Sequence, residues 1–167
     1  MRDVYLLLSD PKVLGESQDG KHINWIEIEN FDHAIHQGVS ATASTAGGHP
    51  IGRATHDAIT IEKAIDMSSP VLKQYCSGGQ TFKTSKFEFF RADGEGQRVK
   101  LYEINLRNVV ITDIIYSTGG DGLIRERISM VYSAIEWKYT KQKIAGNQEG
   151  NTGGAWNLNR NSTEYSA

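Results

Sequence analysis

Three residues that invite a catalytic reading, Ser17, Asp19 and His22, fall within one short polar segment, GESQDGKH. A serine nucleophile needs a histidine to take its proton and a carboxylate to orient the imidazole. Working triads draw these members from separate elements, because each side chain must be fixed independently. Three of them in one loop suit a different job, bracing a turn through side chain to backbone bonds. A hydrolase using Ser17 and His22 therefore ranks as the third reading. The five histidines, His22, His33, His36, His49 and His56, show no HExxH spacing and no Cys/His pairing, so they do not read as a zinc site. On a strand, His33 and His36 would face opposite sides. Cys76, the only cysteine, has no nucleophile signature. It falls near the end of a helix, where the dipole raises a thiol's pKa, and so reads as structural, buried and inert. Gly47-Gly48 and the GGDG turn lack the lysine and helix of a phosphate loop. Neither a catalytic residue, a metal nor a cofactor is expected.

The elements that carry these residues follow from pattern. The chain has 167 residues, enough for one domain with a real core. Hydrophobic content is 38%, charged content 23% and net charge −2, with the basic residues scattered. That balance excludes electrostatic capture of nucleic acid or an anionic membrane. No disulfide can form within a chain that has one cysteine, so folding in a reducing cytosol is expected. The apolar run Val4 to Leu8 is too short for a signal peptide core, and no stretch approaches membrane-spanning length.

Val4 to Leu8 reads as a first strand. From Trp25 the chain alternates, with Ile26 and Ile28 on one side, then slips phase to Phe31 and Ile35, which are expected in the core. Such a slip marks a bulge or bend. AITIEKAI alternates through Ile59 and Ile61. TFKTSKFEFFR and RVKLYEINLRNVVITDIIYS flank the polar turn ADGEGQ and form a hairpin. RERISMVYSAIEWKY alternates through Ile128, Met130 and Tyr132, then slips to Ile135. The only helix signal is IDMSSPVLKQYCSGG, with Ser69 as N-cap, Pro70 as first helical residue and Gly78-Gly79 as the stop. Its apolar side is Val71, Leu72 and Tyr75. These six or seven strands, two corners and one helix predict a mainly β fold. They argue for a small bent sheet closed into a barrel or sandwich, with the helix as a lid on an open end or on the seam between sheets. Residues 36–57 form a long Gly/Ser/Thr loop of the kind that serves contacts. Residues 144–167 form a polar tail whose Trp156, Leu158 and Tyr165 suit docking on a folded surface.

Four motifs in order carry a resemblance that runs nearly end to end. GESQDGKH with IEIENFDH, then ITIEKAIDMSSPVLKQYCSGG, then ISMVYSAIEWKYTKQ, then GGAWNLNRNS together resemble the haemolysin-coregulated proteins (Hcp) of bacterial type VI secretion. The resemblance implies a single tube-protein domain over 1–167, folded as a small β-barrel of two curved antiparallel sheets with one flanking helix and a long protruding loop. It implies a homo-hexameric ring and head-to-tail stacking into a tube like a phage tail tube. The expected partners are a VgrG-like spike protein, a contractile sheath and small effector proteins carried in the lumen. Neither nucleic acid nor membrane insertion is implied. The protein would be cytoplasmic before firing and secreted without a signal peptide. By the same resemblance, Asp32 and Ala34 line the lumen. Thr42, Ser44, Gly47, Gly48, Pro50 and Arg53 belong to the ring and stacking loop, and Pro50 and Arg53 depart from the small polar residues expected there. The alternative reading is a monomeric β-barrel module that binds a peptide or small ligand.

Overall fold

The computed structural model describes residues 2–39, 52–92, 98–142 and 148–166. It contains β1 (Arg2–Ser9), β2 (Ile26–Ile28), β3 (Asn30–Asp32), β4 (Ile35–His36), β5 (Thr55–His56), β6 (Ile59–Ala64), α1 (Ser68–Gly78), β7 (Thr81–Ala92), β8 (Arg98–Thr118), β9 (Ile124–Val131), β10 (Ala134–Gln142) and β11 (Gln148–Asn157). The fold is mainly β with antiparallel pairing throughout. Nine strands make one sheet along the path β2-β1-β7-β8-β9-β6-β3, with β10 and β11 added beside β8, while β4 and β5 form a separate pair. The expected two curved sheets are thus one sheet that curls on itself. Its hydrogen-bonded path does not close into a barrel, because its end strands, β2 and β3, are joined only through Glu29 of the chain itself.

Both phase slips in the sequence are corners. At Glu29 the strand leaves β1 for β6, and the Glu29 N–H bonds Glu62 O at 2.8 Å. At Tyr132-Ser133 the chain turns from β9 into β10, and both of these strands pair with β8. β8 makes the matching bend at Asn108, whose φ of 49° is one that asparagine tolerates better than most residues. The Asn108 amide donates to Ser133 Oγ at 2.9 Å, and the Ser133 N–H donates to Arg107 O at 2.9 Å.

Alternation fills the core with Leu6, Leu8, Ile26, Ile28, Ile59, Ile61, Phe82, Phe87, Ile104, Leu106, Ile128, Met130 and Ile135. Leu72 of α1 is buried among them, and Val71, Tyr75 and Cys76 pack partly against them. Cys76 is half-buried, not fully enclosed as expected. Ile35 also departs from expectation. It is 47% exposed, because the chain leaves β3 after Asp32 and alternation does not continue through the break.

The helix does not start as its sequence suggests. Ser69 lies inside α1 and is no N-cap; the residue at that position, Met67, has helical backbone angles and makes no capping bond. Asp66 does the capping work instead. Its Oδ1 accepts from the Ser68 N–H at 2.9 Å, while the Asp66 N–H donates to Ser69 Oγ at 3.0 Å. Pro70 is accordingly the third helical residue, where its missing N–H still costs no intrahelical bond. Gly79, with φ 64°, ends the helix in the left-handed conformation, and the Gln80 N–H closes it onto Tyr75 O at 2.9 Å.

Part of the expected C-terminal tail, Gln148–Asn157, is not tail but strand β11. It pairs with β10 from Ala134↔Asn157 to Gln142↔Gln148. Its glycines have a reason: a Cβ on Gly153 would lie 3.3 Å from Trp137 O.

Candidate functional site

Ser17, Asp19 and His22 do meet, but not as a triad. His22 is buried, with Nδ1 2.7 Å from Asp19 Oδ1 and Nε2 2.8 Å from Glu88 Oε2. Both ring nitrogens are therefore engaged by carboxylates. Ser17 Oγ accepts the Asp19 N–H at 3.3 Å, a bond that braces the turn. The imidazole stacks on the Tyr5 ring, 4.4 Å between centroids and 6° from parallel. Arg98 joins the group, 2.6 Å from Asp19 and 2.7 Å from Asp3. The His22 hydrogen bond is the main cause that holds the Asp19 carboxyl below its usual range. This is a brace that ties the GESQDGKH loop to β1, β7 and β8. Gly15 enters the same loop under steric demand, since a Cβ there would lie 2.7 Å from Ile26 Cα.

A second polar group sits under α1. Lys63 is buried on the core face of β6, in phase with Ile59 and Ile61. Its ammonium lies 2.8 Å from Asp66 Oδ1, 3.2 Å from Glu126 Oε1 and 2.9 Å from Ala64 O. Ser69 Oγ accepts from Lys63 at 3.2 Å and donates to Glu126. Lys73 of α1 lies 3.3 Å from the other Glu126 oxygen. Ser69 is thus the hydroxyl of a buried charge cluster.

The outer face of β7, β8 and β10 is an interleaved charge ladder. Lys100 bonds Glu103 at 2.6 Å and Glu88 at 3.3 Å; Asn105 donates to Glu103 at 2.8 Å and to Glu136 at 3.0 Å; Lys138 pairs with Glu136 at 2.9 Å. Burial alone would raise the Glu103 carboxyl, but the Lys100 and Asn105 hydrogen bonds and the nearby lysines pull it down to about 2.

The other expected site residues are dispersed. Asp32 is exposed at the end of β3, bonded to Asn30 Nδ2 at 3.2 Å. Ala34 is half-buried beyond that strand, and its carbonyl accepts the Asp57 N–H at 3.0 Å. Arg53 is exposed, while Thr42, Ser44, Gly47, Gly48 and Pro50 lie outside the described residues. Trp156 and Leu158 pack against this chain's own core. Tyr165 lies over the Arg107 guanidinium at 4.6 Å. At the base of the loop, Ile35 and Val39 leave 47% and 66% of their surface uncovered. Among the described residues no group of three histidines, cysteines or carboxylates could hold a metal ion, and no helix is long and apolar enough to cross a membrane.

The arrangement braces, caps and pairs charges, and it presents surfaces. Residues 5–139 match the family described as type VI secretion system effector, Hcp. The chain belongs to the Hcp family. Protein hcp1 of Pseudomonas aeruginosa is 28% identical over 163 residues, covering 95% of this chain and 96% of the relative. A solved type six secretion system protein superposes with a TM-score of 0.89 at 26% identity, covering 98% of this chain and all of the other. Hcp1 from Salmonella typhimurium shares the fold, with a TM-score of 0.76 at 21% identity over 96% and 97% of the two chains. Hcp proteins are secreted structural components of type VI secretion, and this chain has the mainly β, one-helix Hcp architecture.

The residues that motif reading missed are Lys63, Glu126, His33, His56 and Tyr132. For Lys63 a signal existed, since alternation places it on the same face as Ile59 and Ile61. Glu126 likewise shares a face with Ile128.

Proposed function

We propose that this chain is the ring-forming subunit of a type VI secretion tube. Six copies close into a ring, rings stack head to tail, and the lumen carries small effector proteins. The observation that carries the reading is the Hcp family match over residues 5–139, together with a near full-length alignment to Protein hcp1. A closed ring needs a heterologous surface that repeats after a fixed rotation. The uncovered apolar side chains Ile35 and Val39 at the loop base, and Ile65, Met67, Leu123 and Ile124 beside the start of α1, are surfaces of the type such contacts bury. Asp32 and Ala34 are assigned to the lumen wall. Arg53 and the loop it enters are assigned to contacts between subunits or rings. The spike and the sheath are the partners of the assembled tube, and the protein is cytoplasmic until the tube is expelled.

Native mass measurement tests this. The expected mass is that of six chains, and micrographs should show rings with a central hole. A stable monomer at micromolar concentration overturns the reading and favours a monomeric binding module.

A further inference from the structure

The 36–57 loop rises from a two-stranded stalk, β4 and β5, that belongs to no other sheet. Its pairing is short, Ile35↔His56 and His36↔Thr55. Beyond the chain's own passage into β3 and β6, a phenol of the body holds the stalk. Tyr132 Oη, at the β9 to β10 corner, lies 2.8 Å from His33 Nε2 and 2.7 Å from His56 Nδ1. The three rings meet edge to face with centroids 5.8 to 6.0 Å apart, and Trp137 of β10 lies against His56 at 6.3 Å.

The proton count in this triad is tight. A phenol has one proton to give. With both imidazoles neutral, Tyr132 donates to one of the two facing ring nitrogens and accepts an N–H from the other, so both bonds are made. Protonation of the accepting imidazole turns it into a donor. The phenol proton then has no acceptor among the two rings, and protonation of both sets two cations with centroids 5.9 Å apart. Each change carries a cost that release into water removes.

The charged and titratable groups around the triad do not offset this. Asp57, next to His56 in the chain, favours the charged form of His33, but its carboxylate is bonded to His36 Nε2 at 3.1 Å on the exposed side of the stalk. Trp137 brings no charge from β10. Burial is the first cause acting on both His33 and His56, and it lowers the affinity of each for a proton. The burial of Tyr132 raises its phenol, so the phenol stays protonated throughout.

We propose that His33, Tyr132 and His56 form an acid-releasable clamp, which fixes the stalk of the 36–57 loop to the body at neutral pH and frees it when the imidazoles gain protons. The clamp is a property of the single chain. Its consequence for ring stacking, a tube that loosens in acid, rests on the tube-subunit reading.

The test is amide hydrogen exchange on the full chain between pH 7.5 and pH 5, corrected for intrinsic exchange rates, with histidine ring signals followed by NMR on the same samples. The expected result is protection at residues 33–36 and 55–57 that falls at least tenfold on acidification while β7 and β8 keep theirs, and paired titration of His33 and His56 below the ordinary imidazole range. The variant Tyr132→Phe should lose stalk protection already at pH 7.5. The double variant His33→Gln/His56→Asn keeps amide groups at the two bonding positions but cannot titrate, and it should keep its protection at pH 5. Stalk protection that does not change with pH, or a double variant that loses protection in acid as the parent does, overturns the clamp. None of these readouts requires a ring, so failure of the hexamer and failure of the clamp are separate results.

Discussion

His22 and Ser17 share a loop but carry very different weights. Replacing His22 with leucine leaves Asp19 and Glu88 facing each other's region without the imidazole between them, and it removes the Tyr5 stack. We expect a loss of about 2–4 kcal/mol in urea unfolding, in line with removing a buried imidazole that makes two bonds to carboxylates and a ring stack. Ser17→Ala removes one hydroxyl that accepts a single 3.3 Å bond. Its expected cost is below about 1.5 kcal/mol, and secretion of the protein by a type VI system should not change. Glu103 gives a pH prediction at the same scale. Its folded-state pKa is depressed to about 2, so the folded form holds its proton less readily than the unfolded chain. The stability it contributes is full above about pH 4.5 and is lost as pH falls from there toward about 2. Allowing for solvent screening of the partly exposed Lys100, the amount is roughly 1–3 kcal/mol. Glu103→Gln should flatten that part of the stability profile measured by denaturant titration.

At the scale of elements, α1 is held by the charge cluster beneath it as much as by its apolar side. Lys63→Met takes the buried ammonium from Glu126 and part-buried Asp66 and leaves Glu126 only the partly exposed Lys73, and we expect a loss of about 3–5 kcal/mol. Adding Glu126→Leu removes the stranded carboxylate, so the double variant should recover at least half of that loss. A double-mutant cycle read by thermal and denaturant unfolding checks the coupling. The pattern of the sequence located most of these elements, because burial of one face imposes a period on the chain. The slips after Ile28 and after Tyr132 read correctly as bends, since a strand that changes partner must re-aim its side chains. Ser69 was misread because its hydroxyl answers a charge on Glu126, 57 residues away, and local capping preference knows nothing of that demand. β11 was misread as tail because its glycines and asparagines have low strand propensity; the free edge of β10 and the close approach to Trp137 decide its conformation. The His33 and His56 rings meet each other and Tyr132, a residue that no spacing in the sequence ties to them.

For the whole molecule, the assignment of Asp32 to a channel wall gives a further expectation. Asp32 is exposed and makes one bond to the neighbouring Asn30. Asp32→Lys should therefore change unfolding stability by no more than about 0.5 kcal/mol. On the ring reading, the same change appears six times at one level of the lumen. Rings should persist, and a co-purifying effector protein should be lost or become sensitive to protease. Loss of the ring at physiological salt would place Asp32 in a subunit interface instead.

The pairing of β1 with β7, from Arg2↔Arg91 to Ser9↔Thr84, also has a meaning during synthesis. β1 carries Leu6 and Leu8 and leaves the ribosome before its main sheet partner is made. At about 5–20 residues per second, that strand waits several seconds for residues 84 to 91 to be added and to emerge. Pairings so distant along the chain also make folding slow, on the order of milliseconds to seconds. The nascent protein therefore passes through an interval in which an apolar strand is exposed and unpaired, and the cell must protect it or make it in quantities that tolerate the loss.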